Sequence, residues 1–167
     1  MKFRHRIPPE IAAAIELGSG EKPLAWASDD AGRYVVATHQ SLILQRRPPV
    51  YERIGWEEID QASYEDGVLN LTLVPDPSGA AARLRIRVGD DVELPIAVRD
   101  RVTASIVVNQ HVRLRGRKGV RIVARRRAGE ADLRWGFVFD SGLEPQDQLR
   151  ERAEALVEQV RQESGLG

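Results

Sequence analysis

The sequence predicts an α+β fold: an antiparallel meander closed by a helix, then a three-stranded antiparallel extension covered by a last helix. Three observations predict it. From Leu24 to Val88, short runs alternate apolar and polar residues between clusters of turn residues, the period-two pattern of half-buried strands. The period changes at Leu94, Val98 and Val102, which are spaced by four and mark a helix over about 95–104. Alternation then returns from Ile106 to Phe139 and gives way to a helical stripe of Leu149, Ala153, Leu156, Val157 and Val160.

At 167 residues the chain holds one domain, or one domain with an appendage. It has no cysteine, which excludes disulfides, thiol catalysis and cysteine-ligated zinc or iron–sulfur centres and fits a reducing compartment. No apolar run approaches the roughly 20 residues that span a bilayer. The basic start, Met1 to Arg6, is not followed by an apolar signal core, because Glu16 interrupts Ile11 to Leu17. The expectation is a cytoplasmic protein, neither exported nor inserted. Net charge is zero but unevenly spread. Residues 1–98 carry 11 Lys/Arg against 15 Asp/Glu, residues 99–140 carry 11 against 4, and residues 141–167 carry 3 against 6. A basic middle between acidic ends is the electrostatic feature that bears on partners. Arginine supplies 22 of the 25 basic residues, a bias of the kind that a GC-rich genome imposes.

In chain order, Pro8-Pro9-Glu10 opens a short helix, with proline where a missing N–H costs nothing and Glu10 at the positive end of the dipole. Ile7, Ile11 and Ile15 form its apolar stripe, which predicts a helix plugging an open edge or a barrel mouth. Leu24 to Ser28, Arg33 to Thr38 and Ser41 to Arg46 read as strands, with Asp29 to Gly32 and His39-Gln40 as turns. Pro48-Pro49 breaks the chain. Val50 to Ile54 then leads into a corner, Gly55-Trp56-Glu57-Glu58-Ile59, where Glu57 reads as a turn cap and Glu58 as solvated. Leu69, Leu71 and Leu73 face inward from a strand over 68–74. Arg83, Arg85 and Arg87 alternate with Leu84, Ile86 and Val88. In the remainder, strands over 106–114, 120–125 and 133–139 are joined by turns at Gly116 to Gly119 and Ala128 to Asp132. Pro145 marks the start of the last helix and Gly165 its end. The expected domains are an N-terminal helix and linker (1–21), a strand unit with its capping helix (22–105), and a meander with a C-terminal helix packed on that unit (106–167).

The order of about seven short strands and a capping helix resembles a pleckstrin-homology-like (PH-like) domain. The local pattern is similar to bacterial PH-like and GRAM-like modules over residues 22–105. It runs Val35-Val36-Ala37-Thr38, Ser41-Leu42-Ile43-Leu44, the corner Ile54 to Ile59, then Gly67-Val68-Leu69-Asn70-Leu71. The whole chain also resembles a family of actinobacterial proteins that share the stretch Arg101 to Ser105 and a tryptophan in the late strand. The resemblance implies a PH-like antiparallel β-barrel and no particular activity, because such folds host lipid, peptide and scaffolding roles. Where these modules often carry an Asp/Asn-Arg pair after the threonine, this chain has His39-Gln40, so no ligand residue is carried across.

Candidate chemistry is sparse. His5, His39 and His111 are scattered, without the spacing that builds a helical zinc site. No nucleophile with its base is recognisable, so the reading is non-enzymatic, with no cofactor or metal. Trp26, Trp56 and Trp135 lie on alternating faces or corners and read as packing residues. The basic hairpin stands out: Arg113, Arg115, Arg117, Lys118, Arg121, Arg125, Arg126 and Arg127 lie within fifteen residues. The plainer account is that these arginines coat a sheet and pair with the acidic last helix. The functional account takes Arg113, Arg115, Arg117, Lys118, Arg121, Arg125 and Arg127 as an anion-binding or partner-binding surface. The leading function is a PH-like binding or scaffold module with a protein partner. The alternative is an anionic-ligand binder, for a phospholipid head group or nucleic acid, through the hairpin 113–127.

Overall fold

The structure, a computed structural model, describes residues 7–47, 50–144 and 146–167. His5, the break at Pro48-Pro49 and Pro145 lie outside the described residues. The chain forms two compact units: Met1–Leu73 with Ala82–Ala104, and Val74–Ala81 with Ser105–Gly167. The described residues form a mixed α+β fold with three antiparallel sheets and three α-helices.

In the first unit, β1 (Pro23–Ser28), β2 (Tyr34–Thr38), β3 (Ser41–Arg47) and β4 (Val50–Gly55) form one sheet in sequence order. A 3-10 turn, Trp56–Glu58, leads to the second sheet of β5 (Ile59–Glu65), β6 (Val68–Leu73) and β7 (Arg83–Arg87). The turns follow from their residues. Asp29 accepts the N–H groups of Ala31 and Arg33 and closes β1 onto β2. Asp66 and Gly67 both adopt positive φ, as the two-residue loop between Glu65 and Val68 requires. Helix α2 (Glu93–Ser105) starts two residues earlier than its stripe predicts, and Asp91 accepts the Leu94 N–H at its head.

The two sheets and α2 share one core. Ala25, Val35, Leu42, Ile54, Leu69, Leu71, Leu94 and Val98 are all buried in it. Among the described residues no ladder joins the two sheets, so the closed barrel expected from the resemblance is not found. The physical reason lies in the corner: the 3-10 turn carries the chain between sheets without strand pairing, and side-chain burial holds the sheets together. Trp56 anchors that corner, buried in the core with its indole N–H donating to the Thr38 carbonyl at 3.0 Å. Glu58 is solvent-exposed as expected, but the turn cap expected of Glu57 is also supplied by Glu58, which accepts the Gly55 N–H at 2.6 Å, whereas Glu57 is buried. A Cβ at Gly55 would stand 2.5 Å from the Glu57 carboxylate, so a side chain there would require the end of Glu57 to shift.

Helix α1 (Pro9–Ala14) lies on the outer face of the first sheet, not at an edge or a mouth. Its Ile11 and the following Ile15 are buried against Val36 and Ile43, with Trp26, Tyr34 and Tyr51 at the margin. The first sheet is therefore apolar on both faces, which explains the continuous apolar runs in β2 and β3.

A buried polar network ties α1 to that sheet. The Glu21 carboxylate accepts from the Thr38 hydroxyl at 2.7 Å, the Gly18 N–H at 2.8 Å and Arg53 Nη1 at 2.9 Å. Arg53 Nη2 donates to the carbonyls of Ile15 and Glu16, at the end of α1. Burial pushes the Glu21 carboxyl up, but hydrogen bonds from Thr38, Gly18 and Arg53 outweigh it and hold the group below its ordinary 4.5. A lowered carboxyl contributes stability that is full above that ordinary value and is lost as pH falls through the folded value. Glu21→Gln is expected to lower the unfolding free energy by about 1.5–3 kcal/mol at neutral pH. Urea titrations at descending pH check it: the gap between wild type and variant should close in acid, and a gap of constant size would contradict an ionised Glu21.

In the second unit, β8 (Ile106–Arg115), β9 (Lys118–Arg126) and β10 (Leu133–Phe139) form a sheet with β9 central. Helix α3 (Asp147–Ser164) covers one face. Ala153 and Val160 are buried against Val120 and Ile122, with Trp135, Phe137, Phe139, Leu156 and Val157 packed around them. The loop Val74–Ala81 belongs here as well, because Arg150 of α3 donates to the carbonyls of Pro77 and Ser78. No helix among the described residues is long and apolar enough to cross a membrane.

Candidate functional site

The basic residues singled out in the sequence lie on the β8–β9 hairpin, but they do not form one surface. The hairpin turns at Gly116, whose positive φ suits the first position of a two-residue loop, between the paired Arg115 and Lys118. The two strands approach closely at Gly119, where a Cβ would stand 1.9 Å from the Val112 carbonyl oxygen. Around this turn Arg113, Arg115, Arg117 and Lys118 are all exposed, and none has an ion-pair partner among the described residues.

The other three residues behave differently. Arg121 is half-buried and lies opposite His111. Arg125 is only 4% exposed, so it is not part of an accessible surface. Strand alternation puts it on the face of Val123, which is fully buried. Arg127 lies past the end of β9 and pairs with Glu130 at 3.5 Å. The alternation rule assigned faces correctly, yet it could not show that one end of a face is closed.

Beside the tip stands a pair the sequence reading did not connect. His111 Nε2 and Asp140 Oδ2 are 2.8 Å apart, and the Gly119 N–H donates to the same oxygen at 2.8 Å. Hydrogen bonding to His111 and Gly119 and the charges of His111 and Arg121 hold the Asp140 carboxyl below its ordinary 3.8 against a small opposing effect of burial. The ionised form therefore stabilises the fold above that value, and its contribution disappears as pH falls through the lower folded value. Asp140→Asn should cost about 1 kcal/mol at neutral pH, the net worth of a typical hydrogen bond, and nothing once wild-type Asp140 is protonated. Thermal unfolding of both proteins across the acid range measures this. Among the described residues, no three His, Asp or Glu side chains are grouped as metal ligands.

The first unit has a groove of a different character. A cavity of about 360 Å³ lies between β5 and the start of α2, lined by Ala62, Ser63, Tyr64, Leu69, Val92, Pro95, Ile96 and Arg99. Val92 is 53% exposed and Ile96 43%. β5 is an edge strand, with a sheet neighbour on one side. Two exposed aliphatic side chains thus flank a strand edge whose backbone groups offer further pairing. The sequence held a signal for this: Ile96 lies off the Leu94–Val98–Val102 stripe, where an apolar residue does not serve the helix's own packing.

A smaller charged cleft of about 80 Å³ lies between Asp29–Arg33, the end of β3 and β7. Most of its cations are already engaged: Arg33 with Asp29 at 2.7 Å, Arg46 with Glu52 at 2.6 Å and Arg87 with Asp30 at 3.8 Å. It offers less uncommitted charge than the hairpin tip. Comparison with protein-family models and with curated proteins finds no match for the chain.

Proposed function

We propose that this chain is a non-enzymatic, PH-like binding module that takes an extended segment of a protein partner along the β5–α2 groove. The order of a four-stranded sheet, a three-stranded sheet and a helix supports the PH-like reading. The observation that carries the functional reading is the exposed pair Val92 and Ile96 beside the edge strand β5. An extended segment adds to such an edge through main-chain hydrogen bonds, and its alternate side chains enter the groove. Ile96, Val92 and Leu69 would take aliphatic side chains, and Arg99 at the rim would meet a carboxylate. A chain without cysteine is compatible with the reducing cytoplasm, where we place this work.

Panning a random peptide display library on the full chain tests this reading. Recovered peptides should carry alternating aliphatic residues and shift the amide resonances of 62–64 and 92–99. Ile96→Asp should weaken them at least tenfold while leaving the thermal midpoint within a few degrees, since Ile96 is 43% exposed and outside the buried core. Peptides that ignore the Ile96 substitution, or a library that yields no binder, would overturn the proposal.

A further inference from the structure

The hairpin tip of the second unit carries positive charge that the fold does not use. The third strand stops at Phe139, opposite Val120, and Asp140 still bonds the Gly119 carbonyl. Residues 113–118 therefore extend past β10 as a two-stranded tip. Four of these six residues, Arg113, Arg115, Arg117 and Lys118, are exposed cations. Among the described residues, none of the four forms an ion pair with a carboxylate of α3. Two of its carboxylates instead accept from their own helix, Glu158 from Gln162 and Glu163 from Gln159. Asp140, at the base of the tip, is already engaged by His111 and Gly119. Like charges held this close repel one another, and a polyanion relieves that repulsion.

We propose that this tip binds the phosphate backbone of double-stranded nucleic acid without reading base sequence. Arg113 and Arg115 flank a register shift in the β8–β9 ladder, where two residues of β8 stand against one of β9, and such a bulge twists a ribbon locally, so these two cations, with Arg117 and Lys118 across the turn, are crowded at the tip. A two-stranded ribbon is also an element that the major groove admits. A lipid surface fits less well. Leu114 is the tip's one large apolar residue, and it packs in the core under α3, so nothing apolar is left to enter a bilayer. Residues 106–127 contain no Phe, Tyr or Trp, and the His111 ring is held by Asp140, so the hairpin lacks the row of stacking platforms that single strands require.

Fluorescence anisotropy of the intact chain with a mixed-sequence duplex of twenty base pairs tests this. Binding is expected at low salt. The plot of log affinity against log salt should have a slope of about −3.6 for four phosphate contacts. A duplex of shuffled sequence should bind equally. Replacing Arg113, Arg115, Arg117 and Lys118 together by Gln should abolish binding. Replacing Arg83, Arg85 and Arg87 of β7 by Gln is the control, and it should leave the slope unchanged. If the quadruple variant fails to fold, Arg115→Gln and Arg117→Gln singly should each reduce the slope by about 0.9. Absent binding, a slope indifferent to the tip substitutions, or binding to phosphatidylserine vesicles but not to duplex would each overturn the proposal.

Discussion

The first unit depends on what Thr38 holds together. Its carbonyl accepts the Trp56 indole and so sets the corner at which the chain leaves the first sheet for the second. Its hydroxyl donates to Glu21 and also accepts the Gln40 and Ser41 N–H groups that turn β2 into β3. Through Glu21 the same site reaches Arg53, and through Arg53 the end of α1. A turn, a corner and a helix terminus thus converge on one buried residue. Such a network is worth most when complete, because each member it loses leaves another polar group buried without compensation.

Much of this architecture was legible because strands and helices imprint different periods. Leu69, Leu71 and Leu73 announced β6, and Leu94, Val98 and Val102 announced α2, since burial on one face is a local property of spacing. The place of α1 was not read from its own stripe. The information lay in β2 and β3, where Val35-Val36-Ala37 and Leu42-Ile43-Leu44 are apolar at consecutive positions, as a sheet buried on both faces requires. The Glu21–Arg53 pair spans 32 residues, and no local pattern encodes a partner at that distance. His111 and Asp140 escaped the reading for the same reason.

The two proposed binding surfaces differ in how much the sequence disclosed. The hairpin's composition was plain, but composition cannot tell an exposed arginine from a buried one. Arg125 and Arg115 look alike in the sequence and sit in opposite surroundings. The groove was the harder case, because Val92 and Ile96 read as ordinary apolar residues until the edge position of β5 is known. Together they describe a chain with an apolar strand edge in one unit and a cationic tip in the other, two chemistries that do not compete for the same ligand.

The loop between β6 and β7 draws its contacts from widely separated parts of the chain. Residues 73 and 82 pair across its base, so the hairpin can close as soon as both strands exist. The loop's own carbonyls at Pro77 and Ser78 wait for Arg150, more than seventy residues later. On a ribosome, this segment would be finished long before Arg150 emerges, held until then by its own turn, in which Asp76 accepts the Ser78 and Ala80 N–H groups. The second unit is discontinuous for the same reason. A recombination event that moved residues 105–167 elsewhere would leave part of that unit behind.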